Sequence, residues 1–197
     1  MVRIYLETGK STTSEFVFVD TLMRHWGISD EMYEIECVNG KDRLHLMANK
    51  MKETTLEGGK NLIIFDADSA DNDGGFEIRK SDILHKLEVM KVEASLFLFP
   101  DNQNEGDVET LIETLIQRDK HKRFFSCYSG YEMCLGDEYQ APNLKGKLHT
   151  YITAQKGLTK KQRNSIGSGQ WLFENKDYWD IDRETLKPLK DFILQSF

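Results

Sequence analysis

The sequence predicts an α/β fold: a mostly parallel four-stranded sheet with helices on both faces, followed by a mainly helical C-terminal extension. Three observations predict it. Short apolar runs of strand length alternate four times with longer segments whose apolar residues repeat at helical spacing. Polar or glycine-containing breaks separate the two kinds of segment. Three of the strand-like runs stop at or just before a carboxylate.

Taken in order, Val2 to Leu6 is the first strand, ending at Glu7, and Thr8 to Thr13 is a polar loop. Val19, Leu22, Met23 and Trp26 repeat at helical spacing, so a helix runs from about Ser14 to Trp26 and stops at Gly27. Tyr33 to Val38 is the second strand, closed by Asn39-Gly40, and Leu44, Met47, Ala48 and Met51 give the next helix one apolar face. After Gly58-Gly59 comes the third strand, Asn-Leu-Ile-Ile-Phe, running into Asp66-Ala-Asp68 and a polar turn. Ile83, Leu84, Leu87 and Met90 mark a helix, Ser95 to Phe99 the fourth strand ahead of Pro100-Asp101, and Val108, Leu111, Ile112 and Leu115 a further helix. The α/β core is expected over residues 1–120. Residues 121–197 form the extension, packed on the core as one compact unit through a last helix bearing Leu186, Leu189, Phe192 and Ile193 on one face.

With 197 residues and 39% hydrophobic content, the chain can bury a sizeable core. No apolar run is long enough to span a bilayer, and the first residues lack the basic and apolar regions of a signal peptide, so a cytoplasmic protein without a membrane partner is expected. Cys37, Cys127 and Cys134 are odd in number and widely spaced within apolar stretches, which points to buried thiols and away from a disulfide framework or zinc knuckle. The formal charge of -7 argues against nucleic-acid binding by a wholly basic surface, but leaves room for a local basic patch or a metal-bridged phosphate contact.

Parallel strands place their C-terminal ends on one edge, where ligands of open α/β sheets bind. That edge would gather Glu7, Asp66, Asp68 and Asp101, with Asp107 and Glu109 opening the next helix. Crowded carboxylates repel one another, and a cation relieves them. Oxygen-only donors suit magnesium or manganese better than zinc, and such an ion can polarise a phosphoryl oxygen or activate water. Competing readings stand beside this one. Asp66 and Asp68 could form a solvated turn, Asp107 could be a helix N-cap, and Glu109 a first-turn acid favoured by the helix dipole. Asp71 and Asp73 read as turn residues.

A glutamate after the first strand (Glu7) and an Asp-x-Asp after a later one (Asp66, Asp68) resemble the signature of the Toprim domain, the Rossmann-like catalytic module of topoisomerases, bacterial primases and overcoming-lysogenisation-defect nucleases. The chain is similar to small stand-alone Toprim-like proteins of unknown function through three further segments: Phe97-Leu-Phe-Pro-Asp-Asn with Gly106-Asp-Val-Glu109, Lys147-Leu-His-Thr-Tyr-Ile, and Tyr178-Trp-Asp-Ile-Asp182 with Leu186-Lys-Pro-Leu-Lys-Asp-Phe. The likeness spans nearly the whole chain. It implies Glu7 as general base or metal ligand, Asp66 and Asp68 as ligands, Glu109 as a second-metal ligand and Lys147 as the lysine beside the scissile phosphate. The family pattern puts a glycine directly after the first glutamate and an acid shortly after it. Here Thr8 intervenes, and Glu15 comes late, after a Ser/Thr-rich insertion.

Two basic segments bear on partners. Arg118 to Arg123 reads as solvated charge, whereas Lys156, Lys160, Lys161 and Arg163, leading into a flexible Asn164-to-Gly169 loop, could follow a phosphate backbone, together with Lys10 of the first loop. Trp171, Phe173, Tyr178 and Trp179 read as core and docking aromatics. The function expected is metal-dependent nucleic-acid phosphodiester chemistry, a Toprim-type nuclease using Mg2+ or Mn2+. One alternative is a Toprim-like module that binds nucleic acid or a protein partner without catalysing alone. A third is a haloacid-dehalogenase-type phosphohydrolase, disfavoured because Ala70 stands where that motif carries Thr or Val.

Overall fold

The computed structural model describes residues 1–70 and 74–197; Asp71 and Asp73 lie outside the described residues. Four strands, β1 (Val2–Leu6), β2 (Tyr33–Cys37), β3 (Lys60–Asp66) and β4 (Ser95–Phe99), form one parallel sheet in the order β2-β1-β3-β4. Eight α-helices accompany it among the described residues: α1 (Ser14–His25), α2 (Ala48–Leu56), α3 (Phe76–Met90), α4 (Val108–Thr114), α5 (Lys122–Leu135), α6 (Leu144–Thr153), α7 (Lys160–Ile166) and α8 (Lys187–Leu194).

The two-residue period of the strands divides the core. Ile4, Leu6, Leu62, Ile64, Phe97 and Phe99 share one buried cluster with Phe18 and Leu22 of α1 and Leu111 and Ile112 of α4. Tyr5, Ile63, Phe65 and Leu98 belong to the other, with Met51 of α2 and Ile83 and Leu87 of α3. Both faces are therefore covered, as the nearly continuous apolar run Leu62–Phe65 requires. Each fully buried aliphatic side chain here contributes roughly 1.5–3 kcal/mol.

The extension joins the first cluster. Leu148, Ile152, Trp171, Phe173, Trp179, Leu189 and Ile193 are buried with the α1–α4 face. Backbone bonds tie it to the segment after α4: Gln117 N–H donates to Tyr178 O at 3.0 Å and Asp180 N–H to Leu115 O at 2.7 Å. The Trp179 indole N–H donates to Trp171 O at 2.8 Å, so this large side chain is buried with its polar atom satisfied.

Two expectations are corrected. Cys127 and Cys134 are exposed, because α5 buries Tyr128 and leaves most of its other residues at the surface, and Cys37, at the end of the edge strand β2, is only partly buried. The basic arm is helical up to Ile166 rather than a loop from Asn164, because Thr159 and Gln162 form a reciprocal capping box that starts α7. Among the described residues no helix is long and apolar enough to cross a membrane.

Candidate functional site

The strand order fixes where a site can form. From β1 the chain steps to β2 on one side, then returns past β1 to place β3 on the other, so the direction reverses between β1 and β3. Leu6 is level with Ile64, which brings Glu7 and Asp66 to the carboxyl edge of adjacent strands. The start of α4 is tied to the same point, with Val108 N–H donating to Asp66 Oδ1 at 2.8 Å. The next residue, Glu109, thereby turns into the sheet edge and is 6% exposed.

A fourth carboxylate arrives from α1. Glu15 is 8% exposed, and its Oε1 has no hydrogen-bond partner among the described residues. Glu7 Oε1 accepts from Lys41 N–H at 3.1 Å, while its buried Oε2 is likewise unpartnered. The charges feel one another. Burial, then the Glu7 and Glu109 charges, push the Glu15 carboxyl up to about 8. Burial, then Glu15, Glu109 and Glu7, hold Asp66 well above the usual carboxylate range. Burial raises Glu7 as well, against the Lys41 N–H and the Arg79 guanidinium.

Two cations are set into this edge. Lys145 Nζ lies 2.7 Å from Glu109 Oε1, an ion pair whose alignment falls short of a hydrogen bond. Burial works to lower the Lys145 ammonium, but Glu109, Asp66 and Glu15 outweigh it and raise the group. Arg79 of α3, 3% exposed, pairs with Asp68. Asp68 is held there by its backbone. Its φ of 57° is left-handed, a conformation Asp tolerates. Its N–H and C=O exchange hydrogen bonds with Gly106 at 2.8 and 3.0 Å. Gly74 packs so closely that a Cβ there would come within 2.5 Å of the Asp68 Cβ.

The structure thus brings Glu7, Asp66 and Glu109 together with Glu15, and directs Asp68 to Arg79. Asp107 is the N-cap of α4, its Oδ1 accepting from Thr110 N–H at 2.8 Å and Thr110 Oγ1 at 2.6 Å. Asp101 accepts from Gln103 and Asn104 N–H in its own turn. Lys147 faces away, 3.4 Å from Glu113 and over the Tyr128 ring, and Lys145 is the lysine that reaches the carboxylates. Of the basic residues, Lys10, Lys156, Lys160, Lys161 and Arg163 are all exposed, and Arg163 also donates to Thr153 O at 2.8 Å and Gln155 O at 3.2 Å.

As they stand, no three of the described His, Cys, Asp or Glu side chains are gathered closely enough to hold a metal ion. The donor set nevertheless fits a hard divalent cation. It is all oxygen, and buried carboxylate oxygens of Glu7 and Glu15 have no donor among the described residues.

The chain belongs to the DUF3226 family, described as a protein of unknown function, whose profile matches residues 13–197. The matched span takes in Glu15, Asp66, Glu109 and Lys145 and begins after Glu7. No curated protein and no solved structure matches the chain.

Proposed function

We propose that this chain is a magnesium- or manganese-dependent enzyme acting on nucleic-acid phosphodiesters, a nuclease of the Toprim type. The observation that carries the reading is the convergence of Glu7, Glu15, Asp66 and Glu109 at the reversal point of a parallel sheet, with buried carboxylate oxygens left unpartnered among the described residues. Glu15, Asp66 and Glu109 would hold the ion, with Glu7 beside it as the base. Bound among them, it supplies Lewis acidity for a phosphoryl oxygen and lowers the pKa of water.

The chain's own groups do the rest. Lys145, with a 59% exposed side chain, can turn from Glu109 to a non-bridging phosphate oxygen and offset charge as it develops. Glu7 Oε2, without a hydrogen-bond partner among the described residues, accepts the proton of the attacking water. Asp66 is oriented by Val108 N–H. Asp68 contributes through Arg79, whose guanidinium holds the turn after β3 against α3.

Calorimetry with Mn2+, alongside hydrolysis assays on single- and double-stranded DNA and RNA, tests the proposal. Saturable metal binding and divalent-dependent cleavage are expected, both lost in Asp66→Asn. Absence of both in the folded wild-type protein would refute it. A second reading, a Toprim-like module without independent catalysis, is favoured by one observation: Lys145 and Arg79 already offset part of the acidic charge within the fold. Metal binding with cleavage appearing only on addition of a protein partner would select it.

A further inference from the structure

Helix α5 has 14 residues, of which only Tyr128 is buried. Its outer side is apolar or small: Cys127 and Cys134 are exposed, Tyr131 is 47% exposed and Met133 75%. The same side runs into an open cleft of about 390 Å3 between α5 and α6, with Phe124, Cys127 and Tyr131 on one wall and Pro142 and Thr150 on the other. Single exposed apolar side chains are ordinary, whereas a contiguous apolar patch marks an interaction surface.

Two features of α5 work against the helix in an isolated chain. The first is Gly130, in the middle of the helix, where glycine weakens helical structure. Its φ is not positive, and a Cβ built there meets nothing within 4 Å, so no neighbour among the described residues requires a glycine. It stands three residues after Cys127 and four before Cys134, on their side of the helix. A missing side chain at that point lets the backbone of another helix approach closely, since the side chains at the contact set the distance between packed helices.

The second is the charge. The helix dipole favours acids at the N-terminus and bases at the C-terminus. α5 opens instead on Lys122 and Arg123, with no acid in its first turn, no base in its last and no side-chain cap from His121. Asp137 and Glu138 follow its end in the short turn Gly136–Glu138. Lys122 pairs with Asp119 in a contact open to solvent, and Arg123, Asp137 and Glu138 have no ion-pair partner among the described residues.

An antiparallel second copy answers both features. Gly130 is seven residues from Arg123 and seven from Asp137. A two-fold axis at the glycine therefore sets the two backbones together there, brings Lys122 and Arg123 level with the partner's Asp137 and Glu138 at each end, and opposes the two dipoles. We propose that the outer face of α5 is a self-association surface, on which a second copy of this chain docks antiparallel about a two-fold axis at Gly130. One helix face from each copy is less than the roughly 800 Å2 per partner of a standard interface, so the dimer exchanges with monomer and the dilute chain leaves Cys127 and Cys134 open. The proposal is independent of the phosphodiester reading.

Sedimentation equilibrium of the full-length protein from about 1 μM to about 1 mM tests it. A monomer–dimer transition is expected within that series, shifted to higher concentration by salt as the paired ends are screened. Gly130→Lys puts a long charged side chain at the axis and is expected to raise the dissociation constant at least about tenfold. By circular dichroism the dilute variant should melt no lower than wild type, because lysine is the better helix former and its Cβ enters open space. Lys122→Glu with Arg123→Glu, and Asp137→Lys with Glu138→Lys, should each weaken the dimer, and all four together should restore it. Lys52→Glu, on α2, should change nothing. The direction of docking is read with a short bismaleimide in a Cys37→Ser background: a mixture of Cys127→Ser and Cys134→Ser chains should cross-link between copies more than either chain alone. A wild type that stays monomeric throughout the series, a dimer indifferent to Gly130→Lys, or a fourfold charge variant no tighter than the pairs would overturn the assignment. Cross-linking of either single variant as efficient as that of the mixture would overturn the antiparallel docking.

Discussion

Replacing Glu15 by Gln isolates the electrostatic character of the carboxylate edge. The residue is 8% exposed, one of its oxygens has no partner among the described residues, and the Glu7 and Glu109 charges add to burial in holding its proton to about 8. In the unfolded chain the same carboxyl titrates near 4.5. Between those values the folded protein binds a proton that the unfolded one releases, so stability falls as pH rises. The contribution is complete below about pH 4.5 and lost by the time pH passes 8. A tenfold change in proton affinity is worth about 1.4 kcal/mol, so the metal-free protein forfeits on the order of 4 kcal/mol at this group between pH 5 and pH 9. Glutamine keeps the shape and has no proton to lose. Urea unfolding in EDTA across that range should show the wild type weakening steeply and Glu15→Gln much less, the variant being the more stable at pH 9. Asp66 and Glu7 are raised too and leave some slope in both proteins, so the difference between the two profiles is the quantity to read. Parallel profiles would refute the reasoning.

Asp68→Asn leaves the Arg79 guanidinium buried without its charge partner and should cost about 2–3 kcal/mol in urea unfolding, less than the roughly 3–5 kcal/mol of a fully buried pair because the Asp68 side chain is 32% exposed. Calorimetry should show that this variant retains Mn2+ affinity, whereas Asp66→Asn loses it without losing stability. Gly169→Ala places a Cβ within 2.4 Å of Ser14 N at φ 93°, and differential scanning calorimetry should register a loss of about 1–3 kcal/mol. In the native protein Cys127 and Cys134 should react at once with a thiol reagent, followed spectrophotometrically. Cys37 should lag, because burial raises its thiol and reduces its reactive thiolate.

The alternating strands and helices were legible because each apolar run has one period and a polar break at either end, so the parallel sheet follows from Val2–Leu6, Asn61–Phe65 and their neighbours. The carboxyl-edge positions of Glu7 and Asp66 followed from that topology. What escaped were charges contributed by helices. Glu15 heads the buried stripe Phe18, Val19 and Leu22; Arg79 heads Ile83 and Leu87; Lys145 stands three and seven residues before Leu148 and Ile152. A charge in line with an apolar stripe was the available signal for all three, since the stripe carries such a side chain to the edge of the core. Asp68 was misleading for another reason. Two-residue spacing after a strand says nothing about the left-handed turn that swings it towards α3. The α5 cysteines show the limit of apolar context, because a helix in an extension can leave its apolar residues outside the core.

The balance of charge at the sheet edge bears on how many ions the proposed enzyme needs. Glu7, Glu15, Asp66, Asp68 and Glu109 make five carboxyl groups, and Arg79 and Lys145 offset two of them. One divalent ion matches two of the three charges left over. A second divalent ion would have to displace Arg79 from Asp68, which strands a guanidinium that is 3% exposed and whose Nε already lacks a partner among the described residues. Uncompensated burial of that group is costly enough to oppose the exchange. On the proposed reading the chain therefore works with one ion and uses Arg79 as the fixed positive charge on the Asp68 side of the site. Lys145 stands on the Glu109 side, its side chain 59% exposed and free to turn to a bound phosphate.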